Sequence, residues 1–581
     1  MENTIEMFDR WLTSDKVDDA TKAELESIKD NGDEIKFRFS SYMSFGTGGL
    51  RAKMGAGTAM MNVYTVAQAT EGVAKVIDSL GEEAKAKGVV IGHDSRNNSR
   101  LFAERSAEVL TAHGIKVYLF DALRPTPELS FALRHFGCQA GINITASHNP
   151  AAYNGYKLYW DDGAQPTEEM ANFVSSYILA TDILDGVPSS DKADPSLITL
   201  IGRDFDEIFI EKVLGEQVYP GVVEKAAEDL QIVYTPLCGA GTRIVPETLR
   251  RVGVKYLYTV EEQMTPDGNF PGLDKPNPEY PAAFACGIEI AEQVKSDLII
   301  ATDPDADRVG VMARDKDGSF KCITGNQMGS LLLDYMFNAL EEQGKLPEDA
   351  YAIKTIVTSE MATKICNVHG VELYNVLTGF KFIAEVIKEH EEAGKGTFML
   401  GYEESYGYLK GNYSRDKDSV VASMLICEMA AYYSLKDMTL LDALDTLYAR
   451  YGYYSEYSAE IYREGLSGKA EIAAMMDTLR NNVPEMLGGS RLVEVRDYMA
   501  ETIRNVITGE VRGTGLPQSN VMYFAAENGC VAVARPSGTE PKIKFYILAN
   551  GADKAEAAEN TVACTNTLED LLGLSHGQLK K

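Results

Sequence analysis

No apolar stretch in this chain approaches the roughly 18 residues that a membrane-spanning helix needs, which excludes a helical membrane protein. Met1 to Arg10 carries acids where a secretion signal would carry a basic segment followed by an apolar one. The eight cysteines lie far apart and none forms a C-x-x-C pair, so neither a zinc ribbon nor a redox dithiol is expected. They read as reduced, mostly buried thiols of a cytoplasmic protein. Cations are scarce, with Lys+Arg 56 against Asp+Glu 86 and a net charge of -30. That balance excludes a broad nucleic-acid or anionic-membrane surface. It also requires any site for an anionic ligand to gather its cations locally.

What is present is ordinary globular composition, 45% hydrophobic and 24% charged. At roughly 150 residues per domain the length suggests about four domains. Three segments look alike: His113-Gly-Ile-Lys-Val-Tyr-Leu-Phe120, Val252-Gly-Val-Lys-Tyr-Leu-Tyr-Thr259 and His369-Gly-Val-Glu-Leu-Tyr-Asn-Val376. Each follows an apolar strand-like run (89–92, 232–235, 353–358) and a helix-period stretch (102–112, 243–251, 361–368). The Gly sits where a helix ends in a left-handed cap, so strand, helix, Gly, strand spells a βαβ unit with parallel pairing. A further apolar run then ends in polar residues: Thr145-Ala-Ser-His-Asn-Pro150, Asp303-Pro-Asp-Ala-Asp-Arg308 and Gly401-Tyr-Glu-Glu-Ser405. Ligands of open α/β sheets bind beyond the carboxyl ends of strands, so the three motifs are expected to serve one cleft. The tail departs from this pattern. Val531 to Leu548 reads as two strands around a polar loop, with a helix after Ala552, hence an α+β domain. Linkers are expected near 200–208, 315–326 and 435–450.

Asp303, Asp305 and Asp307 alternate, so an extended backbone would project all three carboxylates to one side. An EF-hand is excluded, because Arg308 and Arg314 stand where that loop needs Gly and Glu. An all-oxygen trio suits Mg²⁺; a solvated acidic turn is the bland alternative. Ser147 reads as a nucleophile at a strand tip with His148 beside it, or as a capping turn. A Ser-His-Asp hydrolase is disfavoured, since neighbours on an extended chain face opposite ways and no G-x-S-x-G surrounds the serine. Lys157, in Asn154-Gly-Tyr-Lys157, can return to the same place. Arg535-Pro-Ser-Gly-Thr-Glu-Pro-Lys542 supplies hydroxyls, backbone N–H groups and cations for a phosphate; a plain hairpin turn would explain its Pro and Gly only. Glu403 and Ser405 can hold vicinal sugar hydroxyls or act as a structural cap. Phe45-Gly-Thr-Gly-Gly-Leu-Arg51 is a glycine loop ending in a cation.

Together these motifs, in this order, resemble the α-D-phosphohexomutase superfamily across nearly the whole chain, most closely its long-chain phosphoglucomutase and phosphopentomutase branch. The resemblance implies an α/β fold of three similar βαβ-based domains with mixed, largely parallel sheets plus a C-terminal α+β domain around a central cleft. The expected boundaries are 1–207 with the phosphoserine loop, 208–322 with the metal loop, 323–446 with the sugar-binding loop and 447–581 with the phosphate-binding loop. It implies that Ser147 carries the phosphoryl group and joins Asp303, Asp305 and Asp307 around one Mg²⁺, with Arg51, His148, Lys157 and Arg308 assisting transfer. Thr378, Gly379, Lys381, Glu403, Ser405, Lys417, Arg535, Ser537, Gly538, Thr539, Lys542 and Lys544 are expected to bind substrate. The expected reaction interconverts glucose 1-phosphate and glucose 6-phosphate through glucose 1,6-bisphosphate, which is also an activator, with mannose, pentose or N-acetylglucosamine phosphates as alternatives. An aspartyl phosphatase using Asp303 and a non-catalytic phosphosugar-binding protein are the rivals from other classes. The partner is a small sugar phosphate, with no nucleic acid and no membrane, and the chain is expected as monomer or homodimer.

Overall fold

The computed structural model describes residues 4–43, 45–46, 48–463, 468–537 and 542–579. The chain forms two compact units. One comprises 1–323, 384–393 and 407–437; the other comprises 324–383, 394–406 and 438–581.

In the first unit, strands Val89–His93, Val117–Phe120 and Ala140–Ile144 belong to one sheet, and the first pairs in parallel with both of the others. Helices Ser99–Ala112 and Thr126–Phe136 make the crossovers. A second sheet repeats the plan with strands Gln231–Thr235, Tyr256–Thr259 and Leu298–Thr302, again parallel about the first. In both sheets the last strand turns back into an antiparallel neighbour: Tyr153–Trp160 in one, Val309–Arg314 in the other. The central strands are buried on both faces, so they read as continuous apolar runs instead of alternating ones. Helix Ser99–Ala112 is followed by Gly114 at φ 73, with open space around its missing Cβ. Backbone conformation, not crowding, therefore selects glycine there.

In the second unit, strands Ala350–Thr355, Glu372–Val376 and Thr397–Glu403 give the third copy, parallel about the first. The strand expected over 353–358 stops at Thr355. Thr358 donates its backbone N–H to the Thr355 carbonyl, and the two hydroxyls lie 2.7 Å apart, closing a turn. The tail builds an antiparallel sheet in which Val531–Pro536 pairs with Lys542–Gly551, and helix Lys554–Leu571 follows it, as the sequence pattern predicts. The linker expected at 435–450 is a correction. Thr439 and Asp442 form a capping box, and Leu440, Ala443, Leu444, Leu447, Tyr448 and Tyr451 bury one face of helix Leu440–Tyr451. The expected linker at 200–208 likewise gives way to helix Arg203–Leu214. The expected linker at 315–326 keeps only a short turn, before strand Phe320–Ile323 and helix Gly325–Glu342. No long, apolar helix able to cross a membrane occurs among the described residues.

Candidate active site

Ser147 lies just past strand Ala140–Ile144, is 3% exposed, and adopts φ 51. That left-handed backbone is uncommon for a side-chain-bearing residue. It lets Ser147 Oγ approach His148 Nδ1 at 3.2 Å, which corrects the expectation that neighbours on an extended chain would face apart. The serine backbone N–H donates to Thr145 Oγ1 (2.8 Å), and Thr145 in turn donates to Asp94 Oδ2 (2.6 Å). The next strand passes very close. A Cβ at Gly155 would lie 2.4 Å from the Thr145 carbonyl oxygen and 2.9 Å from that of Leu50, so only glycine fits between them.

From the second sheet, Asp303, Asp305 and Asp307 bring carboxylate oxygens within 4.8 Å of one another. They do so through a tight turn instead of the expected extended alternation. Ala306 takes φ 52 and donates its N–H to the Asp303 carbonyl, while Asp303 Oδ1 accepts the backbone N–H groups of Asp307 and Arg308 at 3.1 and 3.0 Å. Asp303 Oδ2 accepts the Ser147 hydroxyl at 2.8 Å, joining the two motifs.

Lys157, one strand away, reaches Asp305 Oδ2 at 2.7 Å and Asp307 Oδ2 at 3.1 Å. Lys417 lies 3.3 Å from Asp307 Oδ2 and 2.8 Å from Asp416 Oδ1. Burial, then the neighbouring Asp305 and Asp307, push Asp303 well above the ordinary carboxylate range. Burial also acts to raise Asp307, but the ammonium groups of Lys157 and Lys417 outweigh it and hold Asp307 below that range. Desolvation, then Arg308 and Arg51, keep His148 well below its ordinary value. Asp305 Oδ1 and Asp307 Oδ1 are buried without a hydrogen-bond partner among the described residues. Such orphaned oxygens in an all-carboxylate set fit a hard divalent cation.

Arg51 Nη1 donates to Asn149 Oδ1 at 3.1 Å, and Arg308 pairs with Glu279 while its Nε stays 3.8 Å from Asp307. Sequence reasoning missed Asp94, Arg96, Thr126 and Asn143, although Asp94 and Arg96 directly follow a buried strand, where the other motifs were sought. Thr126 Oγ1 donates to Asp305 Oδ2 at 2.8 Å and accepts from Asn143 Nδ2 at 2.8 Å.

The second unit places Glu403 at the end of its strand, where Oε1 accepts the Gly379 N–H at 2.9 Å. Gly329 lets the helix lie on this strand, since a Cβ would fall 2.0 Å from Tyr402. Thr378 directly precedes Gly379, and Ser405 is half-buried beyond the strand. Lys381 lies over the Phe382 ring, 5.0 Å from its centroid. In the tail hairpin Arg535 pairs opposite Lys544, the Ser537 N–H donates to the Lys542 carbonyl, and Lys542 Nζ donates to Tyr462 Oη at 3.2 Å. Gly538 and Thr539 lie outside the described residues.

Three successive domain models described as phosphoglucomutase/phosphomannomutase, alpha/beta/alpha domains I, II and III, match residues 42–183, 207–318 and 324–451. A phosphoglucomutase from Staphylococcus haemolyticus is 36% identical over 525 residues, covering 88% of this chain and 91% of its own. One from Staphylococcus aureus strain USA300 is 36% identical over 511 residues, covering 88% and 90%. In fold, the chain is similar to a Paramecium phosphoglucomutase, parafusin (TM-score 0.66, 16% identity, 93% of this chain and 96% of that one). It is also similar to a phosphoglucomutase/phosphomannomutase family protein of Burkholderia thailandensis (TM-score 0.65, 18% identity, 91% and 97%). With all three domain models matched in order and relatives aligned over most of their length, the chain belongs to the phosphoglucomutase/phosphomannomutase family and is a phosphotransferase of the isomerase type.

Proposed function

We propose that the chain is a cytoplasmic phosphoglucomutase that interconverts glucose 1-phosphate and glucose 6-phosphate by way of phospho-Ser147. The observation that carries this reading is the 2.8 Å contact between Ser147 Oγ and Asp303 within the acidic trio. Phospho-Ser147 gives its phosphoryl group to the free O6 of glucose 1-phosphate, leaving the serine hydroxyl and glucose 1,6-bisphosphate. The bisphosphate turns over, its O1 phosphoryl group returns to Ser147, and glucose 6-phosphate leaves. The 3.2 Å contact to Ser147 Oγ supports His148 over Lys157 as holder of the hydroxyl proton. Asp303, Asp305 and Asp307, with the seryl phosphate, would hold one Mg²⁺, which when bound supplies neutralisation of phosphoryl charge. Glu403 and Ser405, with Thr378, Gly379 and Lys381, are assigned to the sugar hydroxyls. Arg535, Ser537, Lys542 and Lys544 are assigned to the phosphate that is not being transferred. The glucose relatives favour glucose over mannose or pentose phosphates. Domains are proposed at 1–207, 208–322, 323–446 and 447–581.

Ser147→Ala is expected to lose mutase turnover while keeping its melting temperature, and intact mass of the wild type should show one phosphate mapping to Ser147. Retained turnover in the variant would reject the assignment. A rate comparison across glucose, mannose, ribose and N-acetylglucosamine 1-phosphates decides the sugar.

A further inference from the structure

The Arg96 side chain is fully buried, and it spends its hydrogen bonds on one loop. Nη2 donates to the carbonyl oxygens of Ser147 and Asn149, and Nη1 donates to those of Pro150 and Tyr153 at 3.0 Å each. Its charge is met by Asp94, whose Oδ2 lies 3.1 Å from Arg96 Nε; that side chain is also fully buried. The same Asp94 oxygen accepts from Thr145 Oγ1, the group that receives the Ser147 N–H. From the second sheet's side, the Phe270 ring lies 5.0 Å from the guanidinium carbon, and a Cβ on Gly268 would fall 2.3 Å from the Asn97 nitrogen.

A buried guanidinium is costly unless every contact is good, and this one is spent on four carbonyls of the segment that presents the reactive hydroxyl. We infer that Arg96 is a positioning residue for Ser147. By drawing the loop's carbonyl oxygens to one side, it holds the left-handed Ser147 backbone and fixes the direction in which the seryl phosphate is offered. The Arg96 side-chain bonds go to backbone carbonyl oxygens and not to the Ser147 hydroxyl, and the inference rests on Ser147 being the phosphoryl carrier. A planar fork reaching four acceptors cannot be replaced by an ammonium point donor.

The consequence is a change of partition. With the loop released, the phosphoryl group is transferred to sugar less often, while its loss to water does not slow. The test compares Arg96→Lys and Arg96→Ala with wild type after loading with glucose 1,6-bisphosphate, with rates expressed per phosphorylated chain from intact mass. The expected result is a fall in kcat of about 10²-fold with KM within about twofold, and a lowered ratio of transfer to hydrolysis. Millimolar guanidinium should restore part of the rate in Arg96→Ala and none in Ser147→Ala. Wild-type kcat per phosphorylated chain in either variant overturns the inference. So does an unchanged transfer-to-hydrolysis ratio, or loss of folding in both variants with no phosphorylated fraction, since each marks a purely structural arginine. Phosphate mapping elsewhere than Ser147 in the wild type would instead reject the underlying assignment.

Discussion

Arg535 and Lys544 stand directly opposite one another across the tail hairpin. Like charges in facing cross-strand positions cost stability, and in a chain of net charge -30 two cations so placed support the proposal that this hairpin holds a phosphate. Lys544→Gln is expected to keep or raise the melting temperature in phosphate-free buffer and to reduce the stabilisation given by glucose 1-phosphate. A thermal-shift titration checks this, and an undiminished ligand-induced shift would count against the hairpin.

The Thr126 hydroxyl donates to Asp305, one of the proposed metal ligands, and removing an outer partner of a metal ligand typically costs about 10–100-fold in metal affinity. Thr126→Val should therefore weaken Mn²⁺ binding, read by electron paramagnetic resonance, and Asp305→Asn should weaken it more. Equal affinity in all three proteins would place the metal elsewhere.

Glu128 is completely buried, neither of its carboxylate oxygens finds a hydrogen bond among the described residues, and Arg124 Nε comes only to 3.9 Å. Burial dominates over Arg124 and pushes it up to about 8. The native state thus binds this proton more tightly than the unfolded chain, whose glutamates titrate near roughly 4.3. Stability contributed by the neutral form is lost as pH climbs from that value through about 8. Glu128→Gln should melt higher than wild type by a margin that is smallest in mild acid and largest in mild alkali. A margin independent of pH would refute it.

His113 is held between Asp78 (2.6 Å) and Glu71 (2.8 Å). Its bond to Glu71 is the largest cause of a raised value, with burial opposing and Asp78 adding. The stabilisation is complete below the unfolded histidine value of roughly 6.5 and disappears as pH rises through the raised one. His113→Asn should lose more melting temperature at acidic than at alkaline pH; the reverse order would sink the idea.

The threefold βαβ plan was legible because each copy carries an apolar strand, a periodic helix and a glycine after it; at Gly114 and Gly370 a left-handed backbone alone selects glycine, while at Gly253 the nearby Glu224 side chain would also crowd a Cβ. Ser147 and the aspartate trio were legible as polar groups at strand ends. Their mutual geometry was not. Sequence alternation assumes extended backbone, whereas Ser147 and Ala306 both take positive φ, and a turn can converge side chains that a strand would separate. Arg96 and Thr126 escaped notice because their role lies in hydrogen bonds to partners 51 and 179 positions away in the chain. The helix at Leu440–Tyr451 was hidden by reading a boundary where a capping box began.

Lys157 and Lys417 have a final consequence. Both ammonium groups are already engaged by Asp305, Asp307 and Asp416, while one oxygen each of Asp305 and Asp307 has no hydrogen-bond partner among the described residues. In the proposed mechanism the divalent cation and the seryl phosphate would be thermodynamically linked: phosphorylation of Ser147 would tighten cation binding, and loss of the cation would weaken the hold on the phosphoryl group by the same factor.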